Sequence, residues 1–188
     1  MQPSPPLTRD TIYSTLATTW VGRRIELFDC LPSTNREAVQ LAQADVEDGT
    51  VVVAESQTAG RGRLSRTWFS PPGINLYCSI ILRTVRSPER LTEWLSWLPL
   101  VSALAAAEAI EQVSSIHVSV KWPNDLLISE RKVGGILCES GAGSRSDPFQ
   151  IIGIGINVNG GQDDWPADLR DSATSIRQER KILVDRNR

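Results

Sequence analysis

The stretch IHVSVKWPNDLLISERKVGGILCE, residues 116–139, decides the fold. It opens on strict alternation. Ile116, Val118 and Val120 face one way and His117, Ser119 and Lys121 the other, the period-two pattern of a half-buried strand over 116–122. Pro123 then breaks the ladder and turns the chain. Two apolar runs follow, 126–129 and 133–139, around a charged turn at 130–132, and together they read as a hairpin. Consecutive strands of this kind predict an α+β domain, a mixed, largely antiparallel sheet packed with helices.

Outward from this stretch, β-branched or apolar runs predict strands over 149–158, 75–83, 50–55 and 24–28. Helical periodicity predicts a helix over 91–113, which Pro99 kinks or splits. A shorter helix is expected over 10–19. Another runs from Thr34 to residue 44, opened by a capping box of Thr34 and Glu37 with Ala38, Leu41 and Ala42 on its buried face. Residues 159–169 read as a loop, the Pro-rich beginning as disordered, and 181–188 as the start of a helix that stops.

With 188 residues, 40% hydrophobic and 22% charged, the chain reads as one soluble globular domain that can bury a core. A formal net charge of −2 and a pI near 5.5 argue against a general nucleic-acid binder. The three cysteines, Cys30, Cys78 and Cys138, are far apart and form no C-x-x-C pair, so reduced thiols in a cytoplasmic protein are expected and no metal ligand is assigned. No secretory signal opens the chain. The longest apolar run, 94–110, is too short for a bilayer and contains Pro99, so it reads as a buried helix.

Positive charge is concentrated in AGRGRLSRTWFSPPG, residues 59–73, with Arg61, Arg63 and Arg66. Glycines allow close backbone approach, and guanidinium groups pair with phosphate or carboxylate oxygens. The segment is an anion-binding loop or a solvated surface loop. It is not a P-loop, because G-x-x-x-x-G-K-[ST] is absent. Lys121 ends a strand before a rigid turn, which aims it into a cleft or leaves it on the surface. Gly153 and Gly155 sit in an apolar strand, where glycine marks close approach of a ligand or backbone. Trp68 follows the arginine loop and can stack on a planar ligand. His117, the single histidine, reads as structural, and Cys78 and Cys138 as small core residues.

In order, the chain carries STN at 33–35, QTAGRGR at 57–63, WFSPPG at 68–73, NLY at 75–77, KWPND at 121–125, KVGGIL at 132–137 and GIGINV at 153–158. This set resembles the catalytic domain of biotin protein ligase, biotin–[acetyl-CoA-carboxylase] ligase. The resemblance implies a fold like that of class II aminoacyl-tRNA synthetases. It also implies two steps: biotin and MgATP give biotinyl-5′-AMP, and a lysine of biotin carboxyl carrier protein then takes the biotinyl group. By the same resemblance Ser33, Thr34, Asn35, Gln57, Gly60, Arg61, Gly62, Arg63, Lys121, Gly134 and Gly135 hold biotin. Arg61, Arg63, Trp68, Lys121, Asn124 and Asn157 contact ATP or the adenylate, and Arg61 and Lys121 are the catalytic pair, with Arg61 to Arg63 closing as a lid.

Many family members have glycine where this chain has Ser65. Only 32 residues precede Ser33, so residues 1–188 are expected to form the catalytic domain alone, without a winged-helix or C-terminal β-barrel domain and without DNA or membrane binding. An exposed sheet edge can pair two subunits. Lipoate ligases and octanoyltransferases of the same fold, and a binding-only fragment, are the alternatives left open.

Overall fold

The computed structural model describes residues 4–83, 88–143 and 147–188. Among them, β1 (Ile25–Phe28), β2 (Val51–Ala54), β3 (Leu76–Arg83), β4 (Ser119–Lys121), β5 (Asp125–Ile128), β6 (Arg131–Ala142) and β7 (Pro148–Ile156) form one sheet. Its order is β1-β2-β3-β7-β6-β5-β4. β1 and β2 are parallel and every other pair is antiparallel, so the sheet is mixed and largely antiparallel, as expected.

The 116–139 stretch forms β4, β5 and β6 at one end of this sheet. β4 is shorter than expected because Glu111 Oε1 takes the Val118 N–H at 2.7 Å and lies 2.8 Å from His117 Nδ1, which holds that segment to the preceding helix. The β5–β6 turn falls at Ser129 and Glu130 rather than 130–132. Both have positive φ, 48° and 64°, the handedness that suits a two-residue hairpin turn.

Among the described residues the α-helices are α1 (Arg9–Thr15), α2 (Thr34–Gln43), α3 (Pro88–Ser114) and α4 (Ile176–Arg180). α2 starts one residue earlier than the capping box implies. Ser33 is its N-cap, with an extended backbone and no side-chain cap bond. The free Thr34 N–H is met instead by Gln57 Oε1 at 2.8 Å, a cap supplied from across the fold. α3 runs unbroken through Pro99. It is not buried all round: Leu98, Ala103, Ala106, Ala107 and Ile110 face the core, while Trp97, Val101 and Leu104 are exposed.

Strand alternation gives the sheet two faces. Ile152, Ile154 and Ile156 of β7 join the cluster against α3. Ile151 joins the cluster against α2, and Gly153 and Gly155 share that side. A short helix precedes 181–188 instead of starting there. Lys181 ends α4 in the left-handed region, and the chain then straps back across the molecule. Asn187 Nδ2 donates to Pro6 O at 3.1 Å, and Arg186 Nη2 donates to Pro5 O at 3.0 Å. Residues 4–7 are therefore tied down, contrary to the expected disorder, with Leu7 buried; residues 1–3 lie outside the described residues.

Candidate active site

The site lies on the α2 side of the sheet, on a floor that lacks side chains. Gly135 of β6 pairs directly with Gly155 of β7. A Cβ on Gly155 would stand 2.6 Å from Trp68 Cε2, and one on Gly153 would stand 2.0 Å from Asn35 Oδ1. These glycines let an indole and an amide lie flat on the backbone. Gly134 serves a different purpose: its missing side chain makes room for Leu126 on the opposite face.

A first cavity, about 40 Å³, is lined by Ser33, Thr34, Asn35, Gln57, Arg61, Trp68, Asn124, Lys132 and Gly135, among others. Its back wall is a polar network. Ser79 Oγ stands 2.7 Å from Asn35 Oδ1 and 2.8 Å from Thr34 Oγ1. Gln57 Nε2 donates to Ser70 Oγ at 2.9 Å. Ser33 is buried, and its hydroxyl makes no hydrogen bond to the described residues. A volume of 40 Å³ holds little more than a water.

A second cavity, about 260 Å³, is lined by Arg66, Trp68, Phe69, Asp125, Lys132, Asn157 and Trp165, among others. Trp68 and Lys132 thus line both cavities. Lys132 Nζ lies 2.6 Å from Asp125 Oδ1 and 5.3 Å from the Trp68 ring centroid. Trp68 Nε1 is buried without a hydrogen-bond partner, a donor on the shared wall that a ligand acceptor can satisfy. Asn157 spends its amide hydrogens on Lys132 O and Thr174 O, at 3.3 and 3.0 Å, and so ties β7's end to the lysine's backbone.

The arginine loop is a small hairpin. Trp68 N–H donates to Gly60 O at 2.9 Å and Gly62 N–H donates to Arg66 O at 2.7 Å. Its tip holds Leu64 and Ser65 at φ 53° and 61°, a left-handed region that favours glycine. Gly60 is pressed so close to Trp68 O that a Cβ would stand 2.4 Å away. Arg61 reaches Glu139, and Arg63 Nη1 donates to Asn124 Oδ1 at 3.1 Å. Between this loop, α3 and β6 runs an open groove of about 950 Å³.

Of the residues singled out by sequence, Ser33, Thr34, Asn35, Gln57, Arg61, Trp68, Asn124, Gly135 and Asn157 line one cavity or the other, Gly60, Gly62 and Arg63 line the groove instead, and Gly134 lines none of the three. Lys121 is exposed at the end of edge strand β4 and lines neither cavity. The cation at the shared wall is Lys132, first residue of the KVGGIL motif, to which the sequence attaches no role. Asn124 lines the first cavity rather than the second, and His117 is exposed beside Glu111. Cys78 and Cys138 are protonated at neutral pH, because burial pushes their thiols up to about 12 and about 11.

Residues 27–159 match the model of the biotin/lipoate A/B protein ligase family. The chain is 42% identical over 171 residues to the bifunctional ligase/repressor BirA of Bacillus subtilis, covering 91% of this chain and 51% of that protein. It is 31% identical over 186 residues to biotin–[acetyl-CoA-carboxylase] ligase of Mycobacterium tuberculosis, covering 98% of this chain and 66% of that protein. The biotin protein ligase of Aquifex aeolicus in complex with biotin and ATP superposes with a TM-score of 0.71 at 37% identity, covering 87% of this chain and 64% of that one. The chain thus spans about half the length of the BirA relatives it matches.

Proposed function

This chain belongs to the biotin/lipoate A/B protein ligase family, and from that premise we propose that it activates biotin with ATP and passes it to a lysine of a biotin carboxyl carrier protein. The observation that carries this reading is that two cavities meet at Lys132 and Trp68. The first, walled by the Ser33–Asn35 turn and Gln57, takes the ureido ring of biotin. The second takes the nucleotide. The biotin carboxylate and the α-phosphate then face each other across Lys132.

Two anions must approach for a carboxylate oxygen to attack the α-phosphorus and expel pyrophosphate. Lys132 offsets their repulsion from a fixed position, which is where preorganised charge contributes most. Asp125 holds the ammonium until substrate oxygens share it. We therefore assign to Lys132 the role expected of Lys121. Mg²⁺ in this reading arrives on the triphosphate, as it commonly does. The lid arginines and Trp68 keep water from the mixed anhydride, and the groove beside the lid admits the carrier lysine. Its amine attacks the acyl carbon and AMP leaves.

A cysteine-based acyl transferase fits poorly, since attack requires a thiolate and both candidate thiols are held protonated. No helix among the described residues is long and apolar enough to cross a membrane.

The test is the intact mass of a purified biotin carboxyl carrier domain after incubation with this chain, biotin and MgATP. A gain of one biotinyl group is expected, and no gain with biotin but one with lipoate would overturn the reading. A second outcome concerns the floor. Gly155→Ala places a methyl against Trp68, overpacking that costs about 1–3 kcal/mol. Calorimetric titration with biotin should show Kd raised by a factor of roughly 5 to 150.

A further inference from the structure

Glu139 lies on β6 beyond the cavities and lines neither of them, yet it holds two groups that do. Arg61 of the lid donates to it through both terminal nitrogens, Nη2 to Oε1 at 2.7 Å and Nη1 to Oε2 at 3.1 Å. The same Oε2 accepts from Asn35 Nδ2 at 2.8 Å. Asn35 sits in the first turn of α2 and is 4% exposed. Its Nδ2 also donates to Leu137 O at 3.1 Å, and its Oδ1 accepts from Ser79 Oγ. Every polar atom of that amide is thus committed, and its orientation follows from the acceptors on β6.

We propose that Glu139 is a positioning residue that couples the lid to the biotin-ring wall: one carboxylate latches Arg61 down and fixes the Asn35 amide against Gly153. This rests on the ligase reading above. A bidentate charged pair gives geometric specificity as well as attraction. Arg61 is half exposed in the pair, with a side-chain exposure of 48%, and such pairs contribute little to global stability. The latch therefore acts on the site and leaves the fold nearly unchanged. A neutral carboxamide cannot replace it. Glutamine offers one acceptor oxygen and turns an NH₂ toward Arg61 or Asn35, both of which are donors.

The test compares wild type, Glu139→Gln and Glu139→Asp. Glu139→Gln is expected to raise the KM for biotin roughly ten- to a hundredfold, with kcat within about threefold and an unfolding midpoint near that of wild type. Trypsin cleavage after Arg63 and Arg66 in the ligand-free chain should accelerate by about tenfold, since opening of the hairpin limits it. Glu139→Asp keeps two charged acceptors and should fall between the two. If Glu139→Gln fails to fold, Arg61→Gln breaks the same pair from the exposed side and should accelerate the same cleavages.

Unchanged KM and unchanged cleavage in a folded variant would overturn the proposal. So would a fall in kcat at constant KM, which would place Glu139 in the chemistry. If wild type itself turns over no biotin, the ligase reading fails, while the cleavage rates still decide whether Glu139 latches the lid.

Discussion

Lys132→Ala is expected to lower biotin-dependent pyrophosphate release by about 10²–10³-fold in kcat, while Lys121→Ala stays within a few-fold of wild type. Lys121 ends β4 and Lys132 lies at the start of β6, two strands further on, so the pair is a clean contrast. Lys132 lies against Trp68 and Asp125 where the two cavities meet. Lys121 is exposed on edge strand β4. Removing a cation fixed near developing charge loses transition-state stabilisation, whereas removing a solvated one loses little. Lys132→Arg keeps the charge but not its position, so partial activity is expected. Steady-state kinetics with saturating biotin and ATP check this. Equal losses for both lysines would return Lys121 to the mechanism.

Arg186→Ala is expected to destabilise the fold by about 3–5 kcal/mol, which for a chain of this size lowers Tm by roughly 6–20 °C. The Arg186 side chain is 1% exposed and forms a bidentate pair with Glu55. Its remaining N–H groups donate to Ser4 Oγ, Pro5 O and Asn75 O. All five guanidinium hydrogens are therefore satisfied, and the residue stitches both ends of the chain to the sheet. Alanine leaves Glu55 charged without its partner.

Burial pushes the Glu55 carboxyl up, but hydrogen bonds from Arg186 and the Leu7 backbone outweigh it, and its pKa ends below the ordinary 4.5. A group held low in the folded state contributes stability that is present above its unfolded value and lost as pH falls through its folded one. The destabilisation by Arg186→Ala should therefore be full at pH 7 and should shrink as pH drops below about 4.5. Thermal unfolding of both proteins across that range measures it.

Much of this architecture is legible in local sequence. Alternation marks the strands, and Gly153 and Gly155 mark the close approach of a ligand or backbone. What sequence does not carry is which strands stand opposite each other. The choice between Lys121 and Lys132 turns on this: β5 shifts register between Leu126 and Leu127, and β6 carries Lys132 to the wall while Lys121 ends on the edge. The α2 cap escapes local sequence for a similar reason. Thr34 and Glu37 make a good local cap, but Gln57 and Ser79, distant in sequence, claim the Thr34 N–H and hydroxyl. Arg186 carries no local signal because its worth comes wholly from partners more than 100 residues away.

The most direct measurement is ATP–pyrophosphate exchange with the purified chain, with biotin, with lipoate and with neither. Exchange that requires biotin and collapses in Lys132→Ala is the predicted result. Exchange supported by lipoate and not by biotin, or biotin-dependent exchange that survives Lys132→Ala undiminished, would contradict the account.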